Sequence, residues 1–409
     1  MKKNLVWIVC ALLFLTSCAP NIGRDEVVQE EESEEETAII PAYQLSESNY
    51  RIILPYKPSQ ARGIIVDQNP NRLDISEMEE GLMRQSMEVY DPEDYFFQEG
   101  QYLDSDTVYD WLGRQKTEDE IEEEVEAELE RLKNEGYTVN EDVEANVRAD
   151  SNSGLNPIIE NEESEDAHRN NPRYLAHILE QNYLVQNDDE SIQLAGISIG
   201  LGLRSVYSFQ TDQEGGPTYY EDIPYDEMVE EGQKMAQEVV ERMRSMEELG
   251  DIPIMVSLYR QEEEAAPVPG NYVAKTYVDG GETEISDWES VDEEYILFPS
   301  DKGEEKYLDD HDTVMNFGNE VRKFFPNYVG IVGEGFYIDE QLQRLKIEIP
   351  IEFFGEGEVI GFSQYLYGLV QEIFADYYDL EIQVTSNNEV QSLIFQEAGD
   401  DEPTVRMVN

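Results

Sequence analysis

Cysteine is almost absent from this chain. Two occur in 409 residues, Cys10 and Cys18. Both fall in the first eighteen positions, so no disulfide braces the remaining chain, and a chain this long must hold its core by packing. Histidine is nearly as scarce: His168, His177 and His311 are the complete set. Three scattered imidazoles give no basis for a structural zinc or a histidine-centred catalytic site. Basic residues number 28 against 92 acidic ones, for a formal net charge of −64. Nucleic acid binding draws on clustered Lys and Arg, so no nucleic-acid partner is expected. Surface charge cannot hold such a chain on an anionic membrane either. Long apolar runs are missing with one exception, Leu5 to Leu15. That run is too short to span a hydrocarbon core, which takes ~20 residues.

The exception organises the chain. Lys2 and Lys3 precede the apolar run, and Leu15-Thr16-Ser17-Cys18 closes it. A basic start, a short apolar stretch and small residues at a cleavage point make an export signal, here residues 1–17. The cysteine makes it a lipoprotein signal. A thiol is the side chain nucleophilic enough to take a diacylglyceryl group, and a lipoprotein signal peptidase then cuts between Ser17 and Cys18. Two acyl chains hold a protein stably where one is marginal. The expected membrane partner is therefore the lipid on Cys18.

Residues 18–48 read as an acidic tether, since Glu26 to Glu36 is mostly glutamate and repels itself into an extended form. Residues 49–150 read as a mainly helical N-terminal region, with short strands at Ile52–Leu54 and Ile64–Val66. Ser76 with Glu79 predicts a capping box opening a helix through Met87, Asp106 caps a second helix, and Thr117 with Glu120 opens a third that stops at Gly136. The stretch 137–171 is polar and reads as loop, with 151–171 as the linker. Asn171-Pro172 predicts a helix through Tyr174, Leu175, Ile178, Leu179 and Tyr183.

Two strand–helix–strand units come next. In the first, about 190–260, Ile197, Ile199, Leu201 and Leu203 alternate as a strand. Met228 to Met246 forms a helical face stopped at Gly250, and Ile254, Val256 and Leu258 alternate again. In the second, about 343–396, Leu345 to Ile351 is a strand and Phe362 to Tyr377 a helical stripe. Leu380 to Val384 is the returning strand, and Asn387-Asn388 turns into a last strand at Val390 to Phe395. Between the units, Tyr272 to Val278 meets Asp279-Gly280-Gly281 as a hairpin signal, and a helix spans 312–325. The fold class is α+β, with both units in 172–409 and the N-terminal helices packed alongside.

Motifs for chemistry are thin. Gly196-Ile197-Ser198-Ile199-Gly200 matches the G-x-S-x-G of serine hydrolases, which requires a sharp strand-to-helix turn. Here the alternation runs straight on, so Ser198 sits mid-strand and the glycines allow close packing. Asp309-Asp310-His311-Asp312 lacks metal-ligand spacing and suits a helix start. Gly330, Gly333 and Gly335 lack the Lys-Ser/Thr of a phosphate loop. No catalytic residue, metal or cofactor emerges from these patterns.

Several longer stretches resemble one family. They are Phe97-Gln98-Glu99-Gly100-Gln101-Tyr102-Leu103 with Thr107-Val108 and Trp111-Leu112, Gly154-Leu155-Asn156-Pro157, Pro172 through Tyr183, and Leu194 through Leu201. Together they resemble the CamS family of sex-pheromone lipoproteins. The resemblance implies a lipid-anchored protein on the outer face of a Gram-positive cell membrane. It also implies that the seven residues before the lipid cysteine leave as a peptide pheromone that induces conjugative plasmid transfer. Here they are Ala11, Leu12, Leu13, Phe14, Leu15, Thr16 and Ser17. A peptide receptor with a mostly apolar pocket is the implied listener. The family implies no catalytic residue, so the mature domain reads as a binding or scaffold module. The alternative is a surface enzyme acting on wall polymer, marked by a concave site with buried carboxylates of shifted pKa.

Overall fold

A computed structural model describes residues 26–28, 37–41, 44, 46, 49–64, 71–212, 216–246, 248–324, 330–352 and 355–408. Strands β1 (Glu26–Val28) and β2 (Thr37–Ile39), both within the acidic tether, pair antiparallel. The expected lipid site at Cys18, the Ser17–Cys18 cleavage point and the peptide Ala11–Ser17 lie outside the described residues, as do Ile65 and Val66.

From residue 49 the chain builds a seven-stranded sheet. β3 (Arg51–Ile52) leads to α1 (Arg72–Ser86), then β4 (Phe96–Glu99), α2 (Ser105–Trp111), α3 (Glu118–Asn134), α4 (Glu141–Ser151) and α5 (Glu165–Asn170). β5 (Leu175–Gln186) and β6 (Ile192–Arg204) are the long central pair. The small ladder β7 (Val206–Phe209) and β8 (Tyr219–Asp222) precedes α6 (Tyr225–Ser245). β9 (Ile254–Gln261), β10 (Asn271–Val278) and β11 (Glu289–Ser290) complete the sheet, in the order β11-β10-β9-β6-β5-β4-β3. β6 and β9 run parallel with α6 between them.

A six-stranded sheet comes after it. β12 (Glu293–Phe298), α7 (Asp301–Lys306) and α8 (Leu308–Phe324) come first. They lead to β13 (Val332–Ile338), β14 (Gln341–Pro350), α9 (Glu356–Ile373), β15 (Asp379–Ser386), β16 (Glu389–Gln396) and β17 (Thr404–Met407). The strands lie in sequence order, and β14 pairs β15 parallel across α9. The architecture is α+β: the expected strand–helix–strand units fall one in each sheet, and β3 and β4, parallel across α1, form a further one in the first sheet.

The first sheet is covered on both faces. Ile197, Ile199, Leu201 and Leu203 pack with Met235, Val239 and Met243 of α6 and with Val108 and Trp111 of α2. On the opposite face, Met78 and Leu82 of α1 pack with Tyr183, Tyr259 and Tyr272. There β6 presents Gly196, Ser198 and Gly200. A Cβ at Gly196 would stand 2.1 Å from the Tyr90 ring, so the G-x-S-x-G pattern lets aromatic side chains and α1 approach the strand. The second sheet buries one face under α8 and α9, while Lys346 and Glu348 of β14 are exposed on the other. A buried network joins the sheets. Arg84 of α1 donates to Glu77 (2.7 Å) and Glu293 (2.9 Å), Gln85 donates to Glu293 (2.7 Å), and the Tyr295 hydroxyl donates to Glu77.

Several expected elements differ. The helix expected over 172–183 is β5, because it lies between α1 and the opposite core and almost every residue from Leu175 to Leu184 is buried. A strand covered on both faces shows no period of two. The Asn156 side chain fixes its start, accepting from Leu175 N–H (2.9 Å) and donating to Leu175 O (3.1 Å). The polar stretch 137–171 carries two helices, α4 and α5. α1 begins four residues before Ser76, with Asn71 accepting from Leu73 N–H. Asp104, not Asp106, caps α2, and Leu308 rather than Asp312 begins α8. α6 ends at Ser245 rather than running to Gly250, and α9 ends at Ile373, short of Tyr377. The Thr117–Glu120 capping box is present in both directions.

Candidate functional site

The motifs that carry the family resemblance meet around the start of β5. β4 accompanies β5 only until Glu99, opposite Gln181, whereas β5 continues to Leu175. The chain leaves β4 at Gly100, whose N–H donates to the Glu180 carbonyl (3.1 Å). It then curls over the Glu180 side chain, whose carboxylate accepts the backbone N–H groups of Gln101 (3.0 Å), Tyr102 (3.1 Å) and Leu103 (2.7 Å). A Cβ at Gly100 would come within 2.5 Å of that side chain, so glycine is required there. Burial pushes the Glu180 carboxyl up, and those backbone donors oppose it. Asn156, from a second motif, also donates to the Leu112 carbonyl (2.9 Å) and so ties α2 to β5.

Beside this curl, where β4 stops, lies a cleft of about 230 Å³ between α1, β5 and the 56–62 stretch. Met83, Phe97, Leu103, Ile178 and Leu179 line it with apolar surface. Its polar side comes from Glu79, Glu99, Arg62 and His177. Glu99 accepts from Ser59 N–H (2.6 Å) and from the Tyr56 hydroxyl, and Arg62 stands 3.6 Å from it. Burial, with Glu99 beside it, pushes the Tyr56 hydroxyl up to about 12. Burial also raises Glu79, as does neighbouring Glu99, while Arg62 pulls it back. His177 is buried, and burial pushes its imidazole down to about 3, so it is neutral at physiological pH. Its Nδ1 has no hydrogen-bond partner among the described residues.

The arrangement suits capture of a small, mostly apolar group that brings a hydrogen-bond donor or a positive charge. It suits group transfer poorly. Glu180 is taken up by three backbone donors, Glu99 by two donors and an ion pair, and the Oγ of Ser59 accepts from Ala61 N–H (3.1 Å). Glu79 differs from them, because its pKa is raised and no backbone donor or hydroxyl among the described residues engages its carboxylate.

The other sequence candidates lie elsewhere. Ser198 is mid-strand, its Oγ 2.8 Å from Ser86 Oγ, which donates to Leu82 O (2.6 Å). Asp310 accepts from the Tyr337 hydroxyl (2.8 Å) in the first turn of α8. Gly333 and Gly335 are in β13. Among the described residues, no three His, Cys, Asp or Glu side chains gather as a metal would need, and no helix is long and apolar enough to cross a membrane. The cleft is hidden in the sequence, because a helix over 172–183 would scatter His177 and Glu180 away from Glu99. The one signal for it is that Glu99-Gly100 and Pro172–Tyr183 both belong to stretches resembling the same family.

A family model described as the CamS sex pheromone cAM373 precursor matches residues 56–402. The structure is similar to the crystal structure of a sex pheromone precursor from Lactobacillus salivarius subsp. salivarius. The two are 28% identical with a TM-score of 0.76, over 91% of this chain and 99% of that one. It is also similar to the C-terminal domain of the sex pheromone staph-cAM373 precursor from Staphylococcus aureus. That pair is 26% identical with a TM-score of 0.68, over 84% of this chain and 98% of that one. No curated protein matches the chain.

Proposed function

Since this chain belongs to the CamS family of sex pheromone cAM373 precursors, we propose that it is the precursor of both a lipid-anchored surface protein and a short apolar peptide. The observation that carries this reading is Leu15-Thr16-Ser17-Cys18 directly behind an apolar run, in a chain whose residues 56–402 match that family. Cys18 takes the diacylglyceryl anchor on the outer face of the cell membrane. Cleavage frees the segment that contains Ala11 to Ser17, whose side chains are uncharged and mostly apolar. Mass spectrometry of the culture medium tests this against a Cys18→Ala strain. The free Ala11–Ser17 peptide is expected from the parent and not from the variant. A parent that makes the mature lipoprotein without ever releasing the peptide overturns the reading.

The folded part is a binding module on that anchor, with the cleft beside Glu180 as its ligand site. Support comes from the apolar lining and from carboxylates already occupied by donors. A wall-polymer enzyme keeps one observation in its favour, the raised pKa of Glu79 in a concave site. Glu79→Gln separates the two. If the fold is a binding module, Glu79→Gln keeps the fold and neither parent nor variant turns over wall fragments, whereas an enzyme turns them over and the variant loses about 10²-fold or more.

A further inference from the structure

We propose that Arg114, Arg173 and Arg204 form a binding site for a phosphoryl oxyanion, separate from the cleft. Other cations among the described residues also lack a carboxylate in ion-pair contact, Arg244 among them, but three such arginines held by one short stretch of backbone stand out in a chain with 28 basic and 92 acidic residues. Elsewhere Arg84 sits on Glu77 and Glu293, Arg242 on Glu238, and Lys275 on Glu88. Among the described residues, none of these three arginines has a carboxylate in ion-pair contact. Glu162 acts on Arg114 only at longer range.

The three are gathered by the backbone at one end of the seven-stranded sheet, where Leu175 of β5 faces Leu203 of β6. Arg114 Nη1 donates to Pro157 O (2.7 Å) and Asn171 O (2.9 Å), and its Nη2 donates to the Tyr207 hydroxyl (2.9 Å). Arg204 Nη1 donates to Leu175 O (2.7 Å) and Arg173 O (3.4 Å). Both guanidinium groups thus hold the 171–175 stretch, and Arg173 is carried between them. The Arg173 side chain is partly exposed and makes no hydrogen bond or ion pair among the described residues. Arg204 keeps its Nε and Nη2 donors, and Arg173 keeps all five of its own.

The arginines repel one another. Burial and then Arg173 push Arg204 down to about 10, and burial with Arg173 also lowers Arg114. Arg204 stays charged at neutral pH, so the free site holds positive charge with no carboxylate in ion-pair contact among the described residues. A phosphoryl group relieves this best. Its tetrahedral set of oxygens accepts from several guanidinium groups at once, where a carboxylate offers two oxygens in one plane. A net charge of −64 repels an anionic bilayer, so the occupant is a small soluble phosphoryl compound, not a lipid headgroup.

The test uses the full chain with inorganic phosphate and glycerol 3-phosphate as probes. Acetate at equal ionic strength is the control, and phosphatidylglycerol vesicles are the membrane arm. Calorimetric titration is expected to show phosphate binding and no acetate binding, with Arg173→Gln weakening phosphate at least about tenfold. The Arg173 side chain makes no hydrogen bond among the described residues, so Arg173→Gln is expected to leave the phosphate-free Tm unchanged or slightly higher. The proposal falls if phosphate and acetate act alike, or if Arg173→Gln binds phosphate like the parent. It also falls if only vesicles bind, or if Arg173→Gln lowers the Tm without phosphate, which would make the arginine a structural cap.

Discussion

The two sheets solve burial differently. The seven-stranded sheet lies between α1 on one face and α6 with α2 on the other, so β5 and β6 bury nearly every residue. The six-stranded sheet is covered on one face by α8 and α9, while α1 reaches only the β12–β13 edge of the other at Tyr295 and Phe336, and β14 alternates buried and exposed from Leu345 onward. A doubly covered sheet must find room for helices on both sides and must satisfy any polar group it encloses. A singly covered sheet leaves half its side chains in water. Motif residues, the cleft and the arginine cluster all sit on the first sheet. Enclosed backbone and enclosed charge exist there to be arranged. The second sheet reads as a stable platform.

The largest expected effect comes from cutting the joint between them. Glu293 has a side chain with no exposure, and Arg84 is its charged partner. Removing one member of a buried pair leaves the other uncompensated, at about 3–5 kcal/mol. Arg84→Ala is expected to lose about 4 kcal/mol in urea unfolding. The triple change Arg84→Met, Glu77→Gln, Glu293→Gln should recover most of it. A loss below about 1 kcal/mol for Arg84→Ala would mean the sheets are held by apolar contact alone.

Enclosed charge on the first sheet gives the next effect. Asp74 of α1 is almost fully buried and accepts from Gly270 N–H (2.7 Å) and the Tyr259 hydroxyl (2.8 Å). Burial outweighs those donors and pushes the carboxyl up to about 6. The folded state therefore holds the proton more tightly than the unfolded state. Stability from this group is full below about pH 4 and is lost as pH rises towards 6, by about 3 kcal/mol for a shift of this size. Asp74→Asn is expected to match the parent at pH 4 and exceed it at pH 7. Equal pH profiles for parent and variant would show that the carboxylate stays charged in the fold.

A smaller effect probes the packing that the first sheet needs. Tyr90 donates from its hydroxyl to Ile197 O and Pro253 O (both 3.2 Å) and stacks on Tyr183 at 4.6 Å. With a Cβ at Gly196 only 2.1 Å from that ring, Gly196→Ala forces the ring to move. About 2 kcal/mol is expected, within the usual range for overpacking. Urea unfolding at the wild-type m-value checks it.

The same contrast explains which parts of the fold are legible in the sequence. Both strand–helix–strand units are, because β6 carries Gly and Ser on its α1 face and so alternates in sequence, and because β14 and β15 alternate against solvent or a single core. β5 is not. Its α1 face carries Leu179 and Tyr183 and its other face Ile178, a spacing that also fits i, i+3, i+4. Local signals set the Thr117 cap correctly but miss Asn71 and Asp104, where a short polar side chain nearer the N-terminus wins the N–H groups. The cleft needs β4, β5 and α1 together, and the arginine site joins residues about ninety apart in sequence, so neither leaves a local pattern.

The smallest effect is the sharpest check on the contrast. Gln343 is exposed at a bulge of β14, between Leu342 opposite Tyr337 and Arg344 opposite Phe336, and its side-chain nitrogen donates to the Gln341 carbonyl two residues away (3.2 Å). Gln343→Thr puts a strand-favouring residue at an exposed position. If the second sheet truly has a free face, the change stays within about 0.5 kcal/mol of the parent and tends to stabilise. A loss above about 1 kcal/mol would mean that this face is covered in solution. The second sheet would then be as enclosed as the first, and the division of labour between them would fail.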